Sequence, residues 1–299
     1  MRYRFATADV FTDRRFGGNP LAVLLDARGL SGEQMMAVTR EFNLSETVFV
    51  LPPEDPRHTR KLRIFTPGRE LPFAGHPTVG TAYLLAALGE IPLSGEETAI
   101  VFEEGVGPVA VRLLAPGGVP AFAELTAARP PELSPAPADR PALAGALSLA
   151  PEDLGDWAEP EVVSCGTPFL YVPLRDRAAL GRARLRIDRW EAVAPSVSEI
   201  YLVTRDPELP GSDLRARMFA LGSGVMEDPA TGAAVTALGG YLGIRERADG
   251  TFRWVVEQGF EMGRPSLLHL TVERRGGGIA AIRVGGAAVA VAEGTIEVP

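Results

Sequence analysis

The feature that most restricts what this chain can fold into is that it nearly repeats itself. Gly18-Asn19-Pro20 before an apolar run is answered by Gly166-Thr167-Pro168, and Ser45-Glu46 by Ser198-Glu199. Arg63-Ile64-Phe65 is answered by Arg217-Met218-Phe219, His76-Pro77-Thr78-Val79-Gly80 by Asp228-Pro229-Ala230-Thr231-Gly232, and Glu103-Glu104-Gly105 by Glu257-Gln258-Gly259. The offsets are 148, 153, 154, 152 and 154, in the same order along the chain. One such match is cheap, but five collinear ones indicate two copies of one unit. Short apolar or alternating runs around the matches read as strands. The stretch from Pro77 to Leu88, and the one after Asp228 to Tyr241, read as helices apolar on every side, which must be buried. Each copy is therefore a strand-rich domain whose sheet covers a central helix, an α+β fold.

At 299 residues the chain exceeds the usual size of a single core. The boundary is placed in a segment with proline at 130, 131, 135, 137 and 141, which favours an extended linker. That gives domains over 1–128 and 129–284, with a strand within 285–299 as a candidate to complete the first. A helix from about Ser31 to Phe42, with Ser31 as cap, and another near Arg140 to Leu147 are also expected.

Several classes of function fit poorly. Net charge is −8 with both signs interspersed, so nucleic acid is not an expected partner. No apolar run of membrane-spanning length is present, and the polar start Met1-Arg2-Tyr3-Arg4-Phe5 points to a cytoplasmic address. The single cysteine, Cys165, allows no internal disulfide. His58, His76 and His269 are too scattered for a metal site to be expected. Gly105-Val106-Gly107 runs through Pro108 into a strand, so no dinucleotide cofactor is expected either.

What remains is the pair of helix mouths. Proline is favoured in the first turn of a helix, and an aspartate before it can cap free N–H groups, so Asp228 reads as a residue at a mouth and His76 as its mate. If the two mouths meet at a domain interface, their dipoles and N–H groups favour a carboxylate. Proton abstraction beside that carboxylate then needs an acid or base within reach. The candidates are polar positions at which the copies differ, His76 against Asp228 first, together with Glu46, whose burial would raise its pKa. Each has a structural alternative: caps for His76 and Asp228, a solvated strand edge for Glu46, a turn residue for Asn19.

Asp9-Val10-Phe11-Thr12 with Gly18-Asn19-Pro20, Asn43-Leu44-Ser45-Glu46-Thr47, Phe65-Thr66-Pro67, Leu71-Pro72-Phe73-Ala74-Gly75-His76-Pro77, Glu227-Asp228-Pro229-Ala230-Thr231-Gly232 and Gly263-Arg264-Pro265-Ser266 span nearly the whole chain. Together they resemble the phenazine-biosynthesis PhzF-like isomerase family, related in fold to diaminopimelate epimerase and proline racemase. The resemblance implies two pseudo-two-fold related domains, each a curved, mostly antiparallel sheet or barrel around a central helix. It also implies a cofactor-free site in the cleft between the domains and a homodimer. It assigns acid/base catalysis to Glu46 and the other catalytic places to His76 and Asp228. Asn19, Gly75, Thr231, Gly232 and Ala233 would bind substrate. The family's paired cysteines are missing, since position 75 is glycine, so two-thiol racemisation is excluded. Ala233 stands where a serine is usual, removing one substrate hydroxyl contact. The expectation is a cofactor-independent isomerase, of proton-shift or epimerase type, acting on a small carboxylate metabolite. A non-catalytic binding protein on the same fold and an amino-acid epimerase with non-cysteine bases are the alternatives.

Overall fold

The computed structural model describes residues 1–223 and 225–299. Its elements in chain order are β1 (Arg2–Val10), β2 (Asn19–Leu24), α1 (Gly32–Phe42), β3 (Glu46–Leu51), β4 (Arg60–Phe65), β5 (Glu70–Leu71), α2 (Gly75–Ala87), β6 (Glu97–Glu104), β7 (Gly107–Leu114) and β8 (Phe122–Thr126). They continue with β9 (Glu132–Pro135), α3 (Arg140–Ala146), β10 (Glu161–Ser164), β11 (Pro168–Pro173), α4 (Arg177–Arg182), α5 (Ile187–Val193), β12 (Glu199–Thr204), β13 (Leu214–Ala220) and β14 (Val225–Asp228). Last come α6 (Gly232–Gly243), β15 (Gly250–Gln258), β16 (Ser266–Arg275), β17 (Gly278–Gly286) and β18 (Ala288–Glu297). The chain forms two compact units, Met1–Ala128 with Arg283–Pro299, and Arg129–Ile282. No helix among the described residues is long and apolar enough to cross a membrane.

In the first unit β1 lies antiparallel to both β18 and β2, β2 runs parallel to β3, and β3 antiparallel to β4. β4 pairs antiparallel with β5 and parallel with β6; β6, β7 and β8 then follow as antiparallel neighbours. The chain end returns through Arg283–Gly286 of β17, antiparallel to β8. α2 lies against this sheet. Its residues Gly75–Ala82 and Leu84–Ala86 are all buried, as its lack of a polar face requires. Gly80 permits the close fit, since a Cβ there would sit 2.5 Å from Val10 Cγ2 and 2.7 Å from Leu21 Cδ2. α1 is opened by a capping box between Ser31 and Gln34 and buries Met35 and Val38 in a second cluster with Leu24, Phe49 and Phe65.

The second unit repeats the scheme with the same senses. β9 and β11 flank β10 antiparallel, β11 runs parallel to β12, β12 antiparallel to β13, and β13 pairs antiparallel with β14 and parallel with β15. β15 and β16 are antiparallel. The register preserves the sequence offsets: Lys61 lies opposite Glu103 as Arg215 lies opposite Glu257, and Thr47 opposite Phe65 as Ile200 opposite Phe219. α6 takes the place of α2 and is buried except at Ala233. A core around Leu147, Leu170, Trp190 and Leu202 packs under α3, α4 and α5.

Three expectations need correction. The proline-rich stretch is not simply linker, because β9 within it forms a full partner of β10. α4 and α5, which sequence patterning did not indicate, are one to two turns long and lack room for a 3.6-residue period to show. Finally, Asp228 does not cap a helix. It ends β14, three residues before the N-cap Thr231. In the β4–β5 pair Leu71 lies opposite Ile64, and in the β13–β14 pair Asp228 lies opposite Met218. The structural mate of Asp228 is thus Leu71, that of Gly75 is Gly232, and that of His76 is Ala233, an offset of 157 in place of 152. The matching Pro-x-x-Gly letters do different work. Pro77 and Gly80 lie inside α2, whereas Pro229 precedes α6 and Gly232 opens it.

Candidate active site

In the first unit, the turn after β1 is built on Gly18. Its φ is +59°, and a Cβ there would meet the Val10 carbonyl oxygen at 2.3 Å, so a side chain has no place. This turn delivers Asn19, fully buried, as the first residue of β2. The parallel pairing of β2 with β3 sets Leu21 beside Glu46, the first residue of β3. α2 supplies His76 as its second residue. The three side chains form a chain of contacts: Asn19 Nδ2 lies 3.2 Å from His76 Nδ1, and His76 Nε2 lies 3.4 Å from Glu46 Oε2.

Burial pushes the His76 imidazole down to about 3, so it is neutral at pH 7. A neutral ring carries one N–H, and an amide nitrogen can only donate. Asn19 therefore donates to Nδ1, which places the imidazole proton on Nε2, facing the Glu46 carboxyl. At 3.4 Å the contact is longer than an ordinary hydrogen bond. Gly75 and His76 also contribute the first two backbone N–H groups of α2, which have no helical acceptor, and the N-cap Ala74 has no side chain to satisfy them.

In the second unit the strand end, the turn and the helix start are tied by one glutamine. Gln258, fully buried at the end of β15, donates through Nε2 to the Asp228 carbonyl at 2.8 Å and to Thr231 Oγ1 at 2.9 Å. Its Oε1 accepts from the Thr231 N–H at 3.2 Å and from the Tyr201 hydroxyl at 3.1 Å. The Thr231 hydroxyl in turn donates to Asp228 Oδ2 at 2.5 Å. It is thereby turned back towards the strand and makes no cap, leaving the N–H groups of Gly232, Ala233 and Ala234 without helical acceptors. Tyr171 donates to the Ala234 carbonyl at 2.5 Å and anchors this first turn from below.

The candidates thus fall into two clusters, Asn19, Glu46, Gly75 and His76 in one unit and Asp228, Thr231, Gly232 and Ala233 in the other. Cys165 stands apart from both; its Sγ is 4.0 Å from the Thr236 carbonyl. Desolvation, then the charge of Glu132, pushes its thiol up to about 12, so it is not a ready nucleophile. Sequence reasoning passed over Gln258 and its counterpart Glu104. Both lie in a repeat match, and they differ between the copies, which is the criterion that picked out His76.

The family profile described as "Phenazine biosynthesis-like protein" matches residues 8–294. This chain belongs to that family. An uncharacterized isomerase of Mesorhizobium japonicum is 44% identical to this family member over 298 residues, covering 96% of each chain. The trans-2,3-dihydro-3-hydroxyanthranilate isomerase of Pseudomonas aeruginosa is 33% identical, covering 98% of each. Among solved structures, a Bacillus anthracis phenazine biosynthesis protein of the PhzF family superposes with a TM-score of 0.89 at 24% identity over the whole of both chains. A hydroxyproline epimerase from Agrobacterium vitis gives 0.67 at 14% identity, covering 99% of this chain and 91% of its own. The fold is accordingly that of the diaminopimelate epimerase-like proteins, and this PhzF-family chain is an isomerase.

Proposed function

We propose that this isomerase shifts a proton within a small carboxylate metabolite without a cofactor, with Glu46 as the acid/base. The observation that carries the reading is the contact chain Asn19–His76–Glu46, in which a neutral histidine of fixed tautomer presents its Nε2–H to a mostly buried carboxylate. Such a donor faces the carboxyl to which the reading gives the proton transfer, within reach of a hydrogen bond as the two approach. The carboxylate takes a proton from a carbon activated by conjugation to the substrate carboxyl and returns it to another carbon. His76 and Asp228 position and polarise the substrate. The first N–H groups of the two helices, at Gly75 and His76 and at Gly232 and Ala233, have no acceptor within their own helix and suit a carboxylate, and Thr231 and Asn19 complete the binding set. The relatives named for trans-2,3-dihydro-3-hydroxyanthranilate make that compound the first substrate to try. Ala233, which offers no hydroxyl, argues for extending the panel to related cyclic carboxylates.

The test is solvent exchange. Turnover of a panel member in heavy water places deuterium in the recovered compound, and Glu46→Gln abolishes it. Undiminished exchange in that variant would overturn the role given to Glu46. We also propose a homodimer, which sedimentation of the purified chain decides.

A further inference from the structure

Against the first turn of α2, at Thr78, lies a carboxyl that the chemistry above does not use. Glu104 ends β6 with 8% of its surface exposed. Its Oε1 is 2.6 Å from Thr78 Oγ1, and that hydroxyl is also 2.7 Å from the carbonyl of Ala74, the N-cap of α2. Glu104 Oε2 is buried without a hydrogen-bond partner, and no cation pairs with the group among the described residues. The charged neighbours are committed elsewhere. On β4, Arg60 donates to the Thr59 and Glu90 carbonyls, Lys61 pairs with Glu54 and Arg63 with Glu70; beside it on β6, Glu103 meets His58. Lys61, Arg63 and Glu70 border a hollow of about 480 Å³ that reaches Glu104 past Pro72. β7 opposes it with Gly107, and α2 brings only Thr78 and the neutral His76.

A hydroxyl has one proton to give. If Thr78 donates it to Ala74, then Glu104 must be the donor to Thr78 and must be protonated. If Thr78 donates it to Glu104, a carboxylate remains buried with one bare oxygen and no counter-charge, the costlier arrangement. The second unit holds the comparison. Glu104 and Gln258 end equivalent strands, since Glu103 lies opposite Lys61 as Glu257 lies opposite Arg215, and Gln258 is neutral and bonded to Thr231, the N-cap of α6.

We propose that Glu104 is a positioning residue, a neutral carboxylic acid that fixes Ala74, Gly75 and His76 through Thr78 as the amide of Gln258 fixes the mouth of α6. Burial agrees, pushing Glu104 up to about 8. Loss of its proton breaks the Glu104–Thr78–Ala74 relay and releases the first turn that carries His76. The consequence for catalysis rests on the site proposed above, whereas the protonation and its effect on His76 do not.

The decisive experiment is therefore done without substrate. Infrared difference spectra of wild type and Glu104→Gln at pH 7 should show one buried protonated carboxyl in the wild type only, disappearing near pH 8. Over the same range the ¹⁵N resonances of His76 should move in the wild type and stay still in Glu104→Gln. An ionised Glu104 at pH 7, or His76 resonances that ignore its titration, would overturn the proposal. With a substrate that turns over, kcat/KM should fall about tenfold per pH unit above about 8 in the wild type. Glu104→Gln should remove that fall and retain the turnover that Glu104→Ala loses; equal losses in the two variants would count against positioning by a neutral group. Absence of turnover on every panel member would refute the proposed function and leave the spectroscopic result standing.

Discussion

Two buried titratable groups flank the start of α2 and should tilt the stability curve in opposite directions. His76 is held at about 3, below its ordinary 6.5, and Glu104 at about 8, above its ordinary 4.5. Between pH 3 and 6.5 the unfolded chain holds a proton on His76 that the folded chain lacks. Stability from this group is thus complete above pH 6.5 and is lost as the solution is acidified. Between pH 4.5 and 8 the folded chain holds a proton on Glu104 that the unfolded chain has released, so this contribution is complete below pH 4.5 and is lost as pH rises towards 8. Each slope is about 1.4 kcal/mol per pH unit. From 4.5 to 6.5 the two oppose each other and nearly cancel. From 6.5 to 8 Glu104 acts alone, and the unfolding free energy should drop by about 2 kcal/mol. Urea unfolding at half-unit intervals, in wild type, His76→Gln and Glu104→Gln, separates them. Glu104→Gln should be free of the alkaline drop and His76→Gln free of the acid one. Parallel curves for wild type and Glu104→Gln between pH 6.5 and 8 would refute the assignment of a neutral Glu104.

Three further outcomes follow from the same geometry. Asn19→Ala removes the donor to His76 Nδ1 and deprives a buried acceptor of its bond, costing about 1–3 kcal/mol, and ¹⁵N spectra should show the Nε2–H tautomer giving way to a mixture. Gln258→Glu replaces two N–H donors with at most one O–H, so either the Asp228 carbonyl or Thr231 loses its bond; urea unfolding should register a loss of about 1–3 kcal/mol, larger at pH 8 than at pH 6. Gly80→Ala drives a methyl into Val10 and Leu21, and thermal unfolding should report about 1–3 kcal/mol of overpacking, where an unchanged midpoint would mean that α2 is free to move off β1 and β2.

Much of this architecture is legible in the sequence because a duplicated fold writes its strand register twice. Four of the five matched segments sit at the offsets the pairing demands, since a strand that slips by one residue turns its apolar face to water. The helix mouths escaped that discipline. A buried helix such as α2 or α6 is apolar all round, so nothing in its composition marks where a turn begins. Proline and glycine then supplied a false alignment that paired His76 with Asp228. In the first unit Glu46, His76 and Asn19 were recoverable as candidates, but their contact was not. It depends on the parallel pairing of β2 with β3, which joins residues 25 apart, and on the packing of α2. Gln258 and Glu104 were hidden differently. Their neighbours Glu257 and Glu103 do the more conspicuous work of accepting turn N–H groups at Glu208 and Leu209, and at Glu54 and Asp55.

The corrected alignment changes what duplication has meant for the site. With His76 opposite Ala233 and Asp228 opposite Leu71, each unit retains one polar side chain where the other has an apolar one. Asp228 projects from a strand end and is braced by Thr231, whose side chain therefore makes no cap on α6. His76 projects from the helix itself and is braced by Asn19, from a strand. The brace behind each mouth differs to match. Beside Asp228, a carboxylate, an ionisable group would add like charge, and the second unit has an amide in Gln258. Beside the neutral His76 no such repulsion arises, and the first unit can hold an acid in Glu104. Exchanging the two braces should therefore be asymmetric: Glu104→Gln is tolerated at neutral pH, while Gln258→Glu sets a second carboxyl next to Asp228 and is not. Equal stability of the two single variants across pH 6 to 8 would show that the like charge at Asp228 is not what keeps position 258 an amide.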